Sequence, residues 1–249
     1  MRVPEPFRRE GDHLAIDLPG ARVLYTTRRG GVSTGPYESL NLGSRTGDDS
    51  GRVAVNRERV AGIVGIPHGR FAQGRQEHGA TVRRRSEPPD PAEAPPATAD
   101  GQATDRASVA PVVLVADCLP VALAAPGAVA MLHCGWRGLA AGIVAEGVAA
   151  MRELGASDEI AAAIGPGAGR CCYEVGEEVH AAFADLGPDV REGRNLDLKL
   201  VARRRLEAAG VPTVHDAELC TMCSDPGLFF SHRRDAGVTG RQAGVVWRS

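Results

Sequence analysis

Three residues of this chain offer imidazole and thiol chemistry: Cys118 and His133, at the ends of strand-like segments, and His78, a lone histidine in its own segment. Two imidazoles and one thiolate can hold zinc and leave one position open, as a catalytic ion needs. Such an ion lowers the pKa of bound water toward 7 and supplies hydroxide at neutral pH. The gaps are long, with 39 residues between His78 and Cys118 and 14 between Cys118 and His133. Spacing alone therefore leaves three readings open: a metal site, a Cys118–His nucleophilic pair, and buried structural residues. Two further groups could do chemistry. Cys220 and Cys223 form a CxxC that could be half of a structural zinc site, but no second CxxC completes it. Cys171 and Cys172 are adjacent, which on an extended segment would point them to opposite faces. By the same alternation Cys134 faces away if His133 faces a site. Arg28, Arg137 and Arg233, each beside glycine, serine or histidine, are candidates for holding an anion.

The elements that must position these residues centre on Pro111 to Leu154. Val112 to Val115, Val121 to Ala125 and Ala128 to Leu132 read as buried strands. They end at Asp117-Cys118, at the Pro126-Gly127 turn and at His133. From Leu139 the spacing of Leu139, Ile143, Met151 and Leu154 predicts a helix that stops at Gly155. Residues 1–20 read as an irregular start with at most a short strand, and Arg22 to Thr27 as a strand. The turn Arg28–Ser33 reads as a plain hairpin loop or as a glycine turn whose backbone amides approach an anion. Val53 to Val64 reads as a helix, and 86–99 as an exposed Pro/Ala-rich loop. Glu159 to Ile164 reads as a strand. A helix is expected to open at Cys171–Val175 and to carry Val175, Val179, Phe183 and Leu186. Asp197 could cap a helix over Leu198 to Ala209, and Val211 to Val214 and Ala243 to Trp247 read as strands. Strands and helices without strict alternation imply an α/β fold, bordering on α+β, with a mixed sheet.

The 249 residues allow a full core in one domain or two intimate ones, and a single domain, 1–249, is the expectation. With 43% hydrophobic and 24% charged residues the composition is that of a soluble globular protein. The net charge of −2 gives no general attraction to nucleic acid or to an anionic membrane. No apolar run approaches the roughly 20 residues that span a bilayer. The N-terminus lacks the apolar core of a secretion signal. Six cysteines in such a chain do not read as a disulfide framework, so a reducing cytoplasm is the expected location. No P-loop, dinucleotide fingerprint, HExxH or GxSxG is present.

The segments TTRRGGVSTGPYESLNLG, QEHG, ADCLPV, HCGWRG, IGPGAGRCCYEVGEEV and FFSHRRDAGVTGR, in that order, resemble the laccase-domain family. Its members are variously described as multicopper polyphenol oxidases, purine nucleoside phosphorylases and peptidoglycan editing factors. The resemblance runs from about Tyr25 to Arg241. It implies a single α/β domain related to cysteine-dependent toxin deamidases. It also implies zinc on His78, Cys118 and His133. The implied activities are phosphorolysis of adenosine, inosine, guanosine and methylthioadenosine, and hydrolytic deamination of adenosine. In such a reaction Asp117 is a candidate for proton transfer at the purine. Arg28, Arg137 and Arg233 would hold phosphate, Ser33 and Asn41 would bind ribose or phosphate, and Tyr173 would stack or hydrogen-bond. Cys134 and Glu77 depart from the family pattern beside proposed ligands, and Cys223 is not a recognised family position.

Three rivals stand beside a zinc enzyme with purine nucleosides and phosphate as partners. A copper phenol oxidase is disfavoured, because seven scattered histidines cannot readily supply several copper clusters. A metal-free Cys118-dependent amidase or peptidoglycan editing factor is the second, and a non-enzymatic binding module the third. The oligomeric state is left open, a monomer included.

Overall fold

Alternating apolar side chains divide this chain between two stacked sheets. The computed structural model describes residues 3–88, 96–157 and 159–249. The N-terminal segment is a meander of β1 (Arg8–Glu10), β2 (His13–Leu18) and β3 (Ala21–Tyr25), not an irregular start. His13 and Asp17 interrupt the apolar pattern of β2, which hides the strand in the sequence. Helix α1 (Ser50–Val64) starts where the Asp49 carboxylate accepts the Arg52 N–H, and it stops at Gly65 with φ +76°. Next come β4 (Phe71–Ala72), β5 (Val82–Arg85) and β6 (Gly101–Thr104). Part of the expected loop 86–99, residues 89–95, lies outside the described residues. Beyond it, the Ala99 N–H donates to the Arg75 carbonyl.

The central apolar run folds as β7 (Ala110–Val115), β8 (Leu119–Ala125) and β9 (Ala128–Cys134). The helix expected from Leu139 is two helices, α2 (Trp136–Ala140) and α3 (Ile143–Glu153), parted at Gly142 with φ +91°. After β10 (Ala161–Ile164), the helix expected to open at Cys171 shrinks to α4 (Glu177–Ala181). The reason is local. Both the Cys172 and Tyr173 N–H groups donate to the Gly169 carbonyl, so the chain turns there instead of starting a helix. A small hairpin, β11 (Arg191–Glu192) and β12 (Asn195–Leu196), leads to α5 (Leu198–Ala208). Asp197 caps α5 by accepting the Leu200 N–H, as the sequence pattern predicts. The last strands are β13 (Thr213–Asp216) and β14 (Gln242–Arg248).

One sheet has the order β1-β2-β3-β14-β7-β4, the other β13-β10-β8-β9-β6-β5. Most pairs are antiparallel. The pairs β4–β7, β5–β6 and β10–β13 are parallel, so both sheets are mixed. Leu14, Ile16, Val113 and Val246 of the first sheet meet Ala122, Ala124, Val129 and Met131 of the second. On its other face the second sheet puts Val121, Leu123 and Leu132 under α3 and α5, while α1 covers the outer face of the first sheet. The layers run helix, sheet, sheet, helices. Strands buried on both faces explain why β8 and β9 read as unbroken apolar runs. Gly244 of β14 has no side chain for a packing reason. A Cβ there would lie 2.7 Å from the Pro120 Cβ and 3.0 Å from the Met131 Sδ.

Met131 is fully buried between the sheets. Met131→Ala should lower unfolding stability by about 2–5 kcal/mol in urea titrations. A loss below about 0.5 kcal/mol would show that the sheets are not packed through this residue.

Candidate metal centre

Strand register gathers the candidate ligands. Leu119 of β8 faces Cys134 of β9, Pro120 faces His133, and Gly101 of β6 faces Leu132. Cys118, just before β8, and Asp100, just before β6, therefore both come to the end of β9 that carries His133. The His133 N–H donates to the Asp100 carbonyl at 2.7 Å. His78 arrives separately, on the loop between β4 and β5.

The Asp100 carboxylate secures that loop. Asp100 is buried, and its Oδ1 accepts the His78 N–H at 2.8 Å. Its Oδ2 accepts the N–H groups of Glu77 at 3.1 Å and Gly79 at 2.8 Å. Oδ1 also lies 2.7 Å from His133 Nδ1. Three successive amides wrap one carboxylate and hold His78 at φ +63°, a region that non-glycine residues seldom adopt. The trio then converges. One ligand atom each from His78, Cys118 and His133 lies within 4.8 Å of the others. The two imidazole centroids are 4.9 Å apart. Gly135 leaves room for them, since a Cβ there would lie 2.8 Å from Cys118 Sγ and 3.2 Å from the His78 ring.

This donor set fits a metal ion. With His133 Nδ1 on Asp100, Nε2 is left to face a ligand, the usual arrangement of a carboxylate behind a metal-binding histidine. The electrostatics favour a thiolate. Burial alone would raise the Cys118 thiol, but the positive His133 and hydrogen bonds from both histidines pull it from 9.0 down to about 6. Burial likewise opposes charge on His133, and the Cys118 thiolate with Asp100 overrides it and lifts His133 to about 9. Cys134 points the other way into the apolar core, where burial pushes its thiol well up.

The trio borders a cavity of about 730 Å³, within the range of small-molecule sites. Asp117, Arg137, Tyr173 and Arg233 line it, as do Arg45, His232 and Arg241. Among the described residues Asp117 is the one carboxylate in this lining. Asp117 Oδ1 accepts the Thr221 hydroxyl at 2.7 Å, and Oδ2 accepts the Arg233 N–H at 3.0 Å. The Arg137 guanidinium stacks on Trp136 at 4.4 Å, and that of Arg233 on Tyr173 at 5.0 Å.

Arg28, Ser33 and Asn41 are not brought to this cavity. The Arg28 guanidinium lies over Phe230 and donates to the carbonyls of Glu38 and Pro226. The Ser33 hydroxyl donates to Asp48 at 2.6 Å. Asn41 is fully buried and bridges Thr46, Asp48 and the Arg241 N–H. The polar atoms of Ser33 and Asn41 organise the loop that carries Arg45 and Thr46 to the rim. The amide of Gly31 is spent in the same way, on the Ser39 hydroxyl. Motif membership did not separate these supporting residues from lining ones. Asp100 is invisible to sequence patterns: a single acid before a short strand carries no period, and its partners lie 21 to 33 residues away in the chain.

Comparison with known proteins bears on the same region. A family model described as multi-copper polyphenol oxidoreductase laccase matches residues 22–249. The chain belongs to this family. Among its relatives, the purine nucleoside phosphorylase YlmD of Geobacillus stearothermophilus is 40% identical, over 99% of this chain and 98% of that protein. A purine nucleoside phosphorylase of Deinococcus radiodurans is 43% identical, over 89% of this chain and 87% of its own length. The crystal structure of the Geobacillus YlmD matches with a TM-score of 0.88 at 37% identity, covering 98% of this chain and 99% of that one. That of YfiH from Bacillus licheniformis matches with a TM-score of 0.89 at 33% identity, covering 99% and 100%. These likenesses give the laccase-like family and its mixed α/β fold. Among the described residues no helix is long and apolar enough to cross a membrane.

Two outcomes test the centre. Asp100→Asn should weaken metal binding about 10–100-fold, read by competition with a chromogenic chelator. Unchanged affinity would remove Asp100 from the site. In the metal-free chain, alkylation of Cys118 should rise through a midpoint near pH 6, because the thiolate is the reactive form above its pKa. In His133→Ala the midpoint should move up, since the stabilising positive charge is gone. A wild-type midpoint near 9 would show that His133 does not act on the thiol.

Proposed function

We propose that this chain is a zinc-dependent purine nucleoside phosphorylase. Its substrates are adenosine, inosine, guanosine and methylthioadenosine, and the same site deaminates adenosine. The observation that carries the reading is the convergence of His78, Cys118 and His133 on one side of an arginine-lined cavity. The near full-length similarity to relatives named purine nucleoside phosphorylase supports it. The cavity suits an anionic co-substrate. Arg137 and Arg233 hold phosphate through charge-assisted hydrogen bonds, and Arg241 adds positive charge. A phosphate oxygen then attacks C1′ of the ribose, the glycosidic bond breaks, and the purine leaves.

A zinc ion bound by the trio supplies Lewis acidity beside the reacting centre. The residues of the chain do the rest. Burial and the neighbouring Cys118 charge push the Tyr173 phenol up to about 12, so it stays protonated and donates a hydrogen bond. Asp117 moves a proton at the purine during deamination in this reading. Two hydrogen bonds hold its carboxylate, which orients its remaining lone pairs. The same donor set would also accept copper, in keeping with the family's description. Among the described residues it is the one histidine-containing cluster of this kind, which favours zinc chemistry over multicopper oxidation.

Adenosine is incubated with the protein with and without phosphate, and the products are resolved. Adenine and ribose 1-phosphate should appear only with phosphate, and inosine without it. His133→Ala should lose both activities by more than about 10²-fold. Arg137→Ala should raise KM for phosphate about tenfold or more, the scale of a charged hydrogen bond. No turnover of any purine nucleoside by zinc-loaded protein would overturn the proposal. Full activity after zinc removal would instead point to a Cys118-dependent hydrolase.

A further inference from the structure

Four cysteines outside the candidate centre come together across a wide sequence gap. Cys171 and Cys172 lie in the turn after β10, and Cys220 and Cys223 in the turn after β13. Strands β10 and β13 are parallel neighbours, so their C-terminal ends share one edge of the sheet. The four sulfurs all lie within 4.8 Å of one another. Cys171 Sγ is 3.2 Å from Cys223 Sγ and 3.6 Å from Cys172 Sγ. A tetrahedral zinc with four bonds of about 2.3 Å needs sulfurs about 3.8 Å apart. The cluster is close to that size. The separations are too long for a disulfide, and all four thiols are free.

The expectation that adjacent Cys171 and Cys172 would diverge fails because they sit in a turn, where side chains do not alternate. Their surroundings match a thiolate–metal knuckle. Cys220 Sγ accepts the Gly169 N–H at 3.4 Å, and the amides of Met222 and Cys223 also point at it. Gly169 keeps the space clear, since a Cβ there would lie 3.3 Å from Cys171 Sγ and 3.2 Å from Cys220 Cβ.

We propose that Cys171, Cys172, Cys220 and Cys223 form a second, structural metal site that binds zinc through four thiolates. The site staples two loops that build one wall of the cavity. Gly167 and Thr221 already pair across them, with the Thr221 N–H on the Gly167 carbonyl. The Thr221 hydroxyl then holds Asp117, the Ala168 N–H donates to the Asp117 carbonyl, and Tyr173 follows directly after the ligands. Zinc binding exchanges four thiol protons for one ion and involves no redox step. Cys171 and Cys223 are exposed, which gives the ion a route in.

The proposal does not rest on nucleoside chemistry, and its test is independent of it. Full-length protein is prepared in reducing, zinc-supplemented buffer and desalted, and metal is counted by mass spectrometry. Wild type should carry about two zinc ions. The His78→Ala/His133→Ala chain, with the first site disabled, should keep about one, and adding Cys223→Ser should remove it. Cobalt(II) loaded into the double variant should show strong sulfur-to-cobalt charge-transfer absorption, as four thiolates require, and lose it in Cys171→Ser. Retention of no metal by a folded double variant would overturn the proposal. So would a Cys171–Cys223 disulfide in the wild type as isolated from that reducing, zinc-supplemented buffer. Failure of nucleoside turnover with these stoichiometries intact would count against the proposed activity alone.

Discussion

A buried carboxylate is costly unless its oxygens are occupied, and Asp100 satisfies that constraint in a way that builds the site. Burial would raise its pKa. The His133 ring and the amides of residues 77 and 79 reverse that, and Asp100 stays below the ordinary carboxylate range. Each donor is also a structural instruction. The amides fix the path of the His78 loop, and the imidazole fixes which nitrogen of His133 faces the ligand. The charge then passes along: Asp100 sustains a positive His133, and His133 sustains a Cys118 thiolate. Without a carboxylate at this point, nothing would hold the His78 loop against Cys118 and His133.

The cavity follows the opposite principle. Its lining is rich in guanidinium groups, several of them anchored through aromatic faces or main-chain carbonyls rather than carboxylates. Arginines neutralised by acid partners would add little field. Arg137 on Trp136 and Arg233 on Tyr173 keep their charge directed into the space beside the trio. An anion beside Arg137 and Arg233 gains guanidinium partners of the geometry that suits it.

Much of this arrangement was legible in the sequence. The runs that became β7, β8 and β9 announced themselves by length and β-branching, α1 and α5 by period and cap. Cys118 and His133 stood out because strand ends seldom need a thiol and an imidazole, whereas His78, a lone histidine in its segment, carried little signal by itself. The losses share one cause. Patterns of period two and 3.6 report which face of an element is buried, and they say nothing about contacts across tens of residues. Asp100 reaches back to residue 77 and on to 133. Asn41 works through the backbone of Arg241. The turn at Cys171 is decided by a shared carbonyl at Gly169, a contact that helix periodicity cannot express. The family resemblance points to further site residues without separating lining residues from those that hold them.

The six cysteines show how completely environment decides chemistry. Cys134 and His133 are neighbours on β9, yet one lies against apolar side chains and the other against a carboxylate. One thiol is therefore inert, while Cys118, next in the chain to the Leu119 that faces it, is poised as a thiolate. The remaining four gather where two parallel strands end, beside the loops that hold Asp117 and Tyr173. A sheet edge that must present both a reactive thiolate and a firm wall can use the same side chain for both tasks. The requirement is that the first thiol sees positive imidazole and the others see one another.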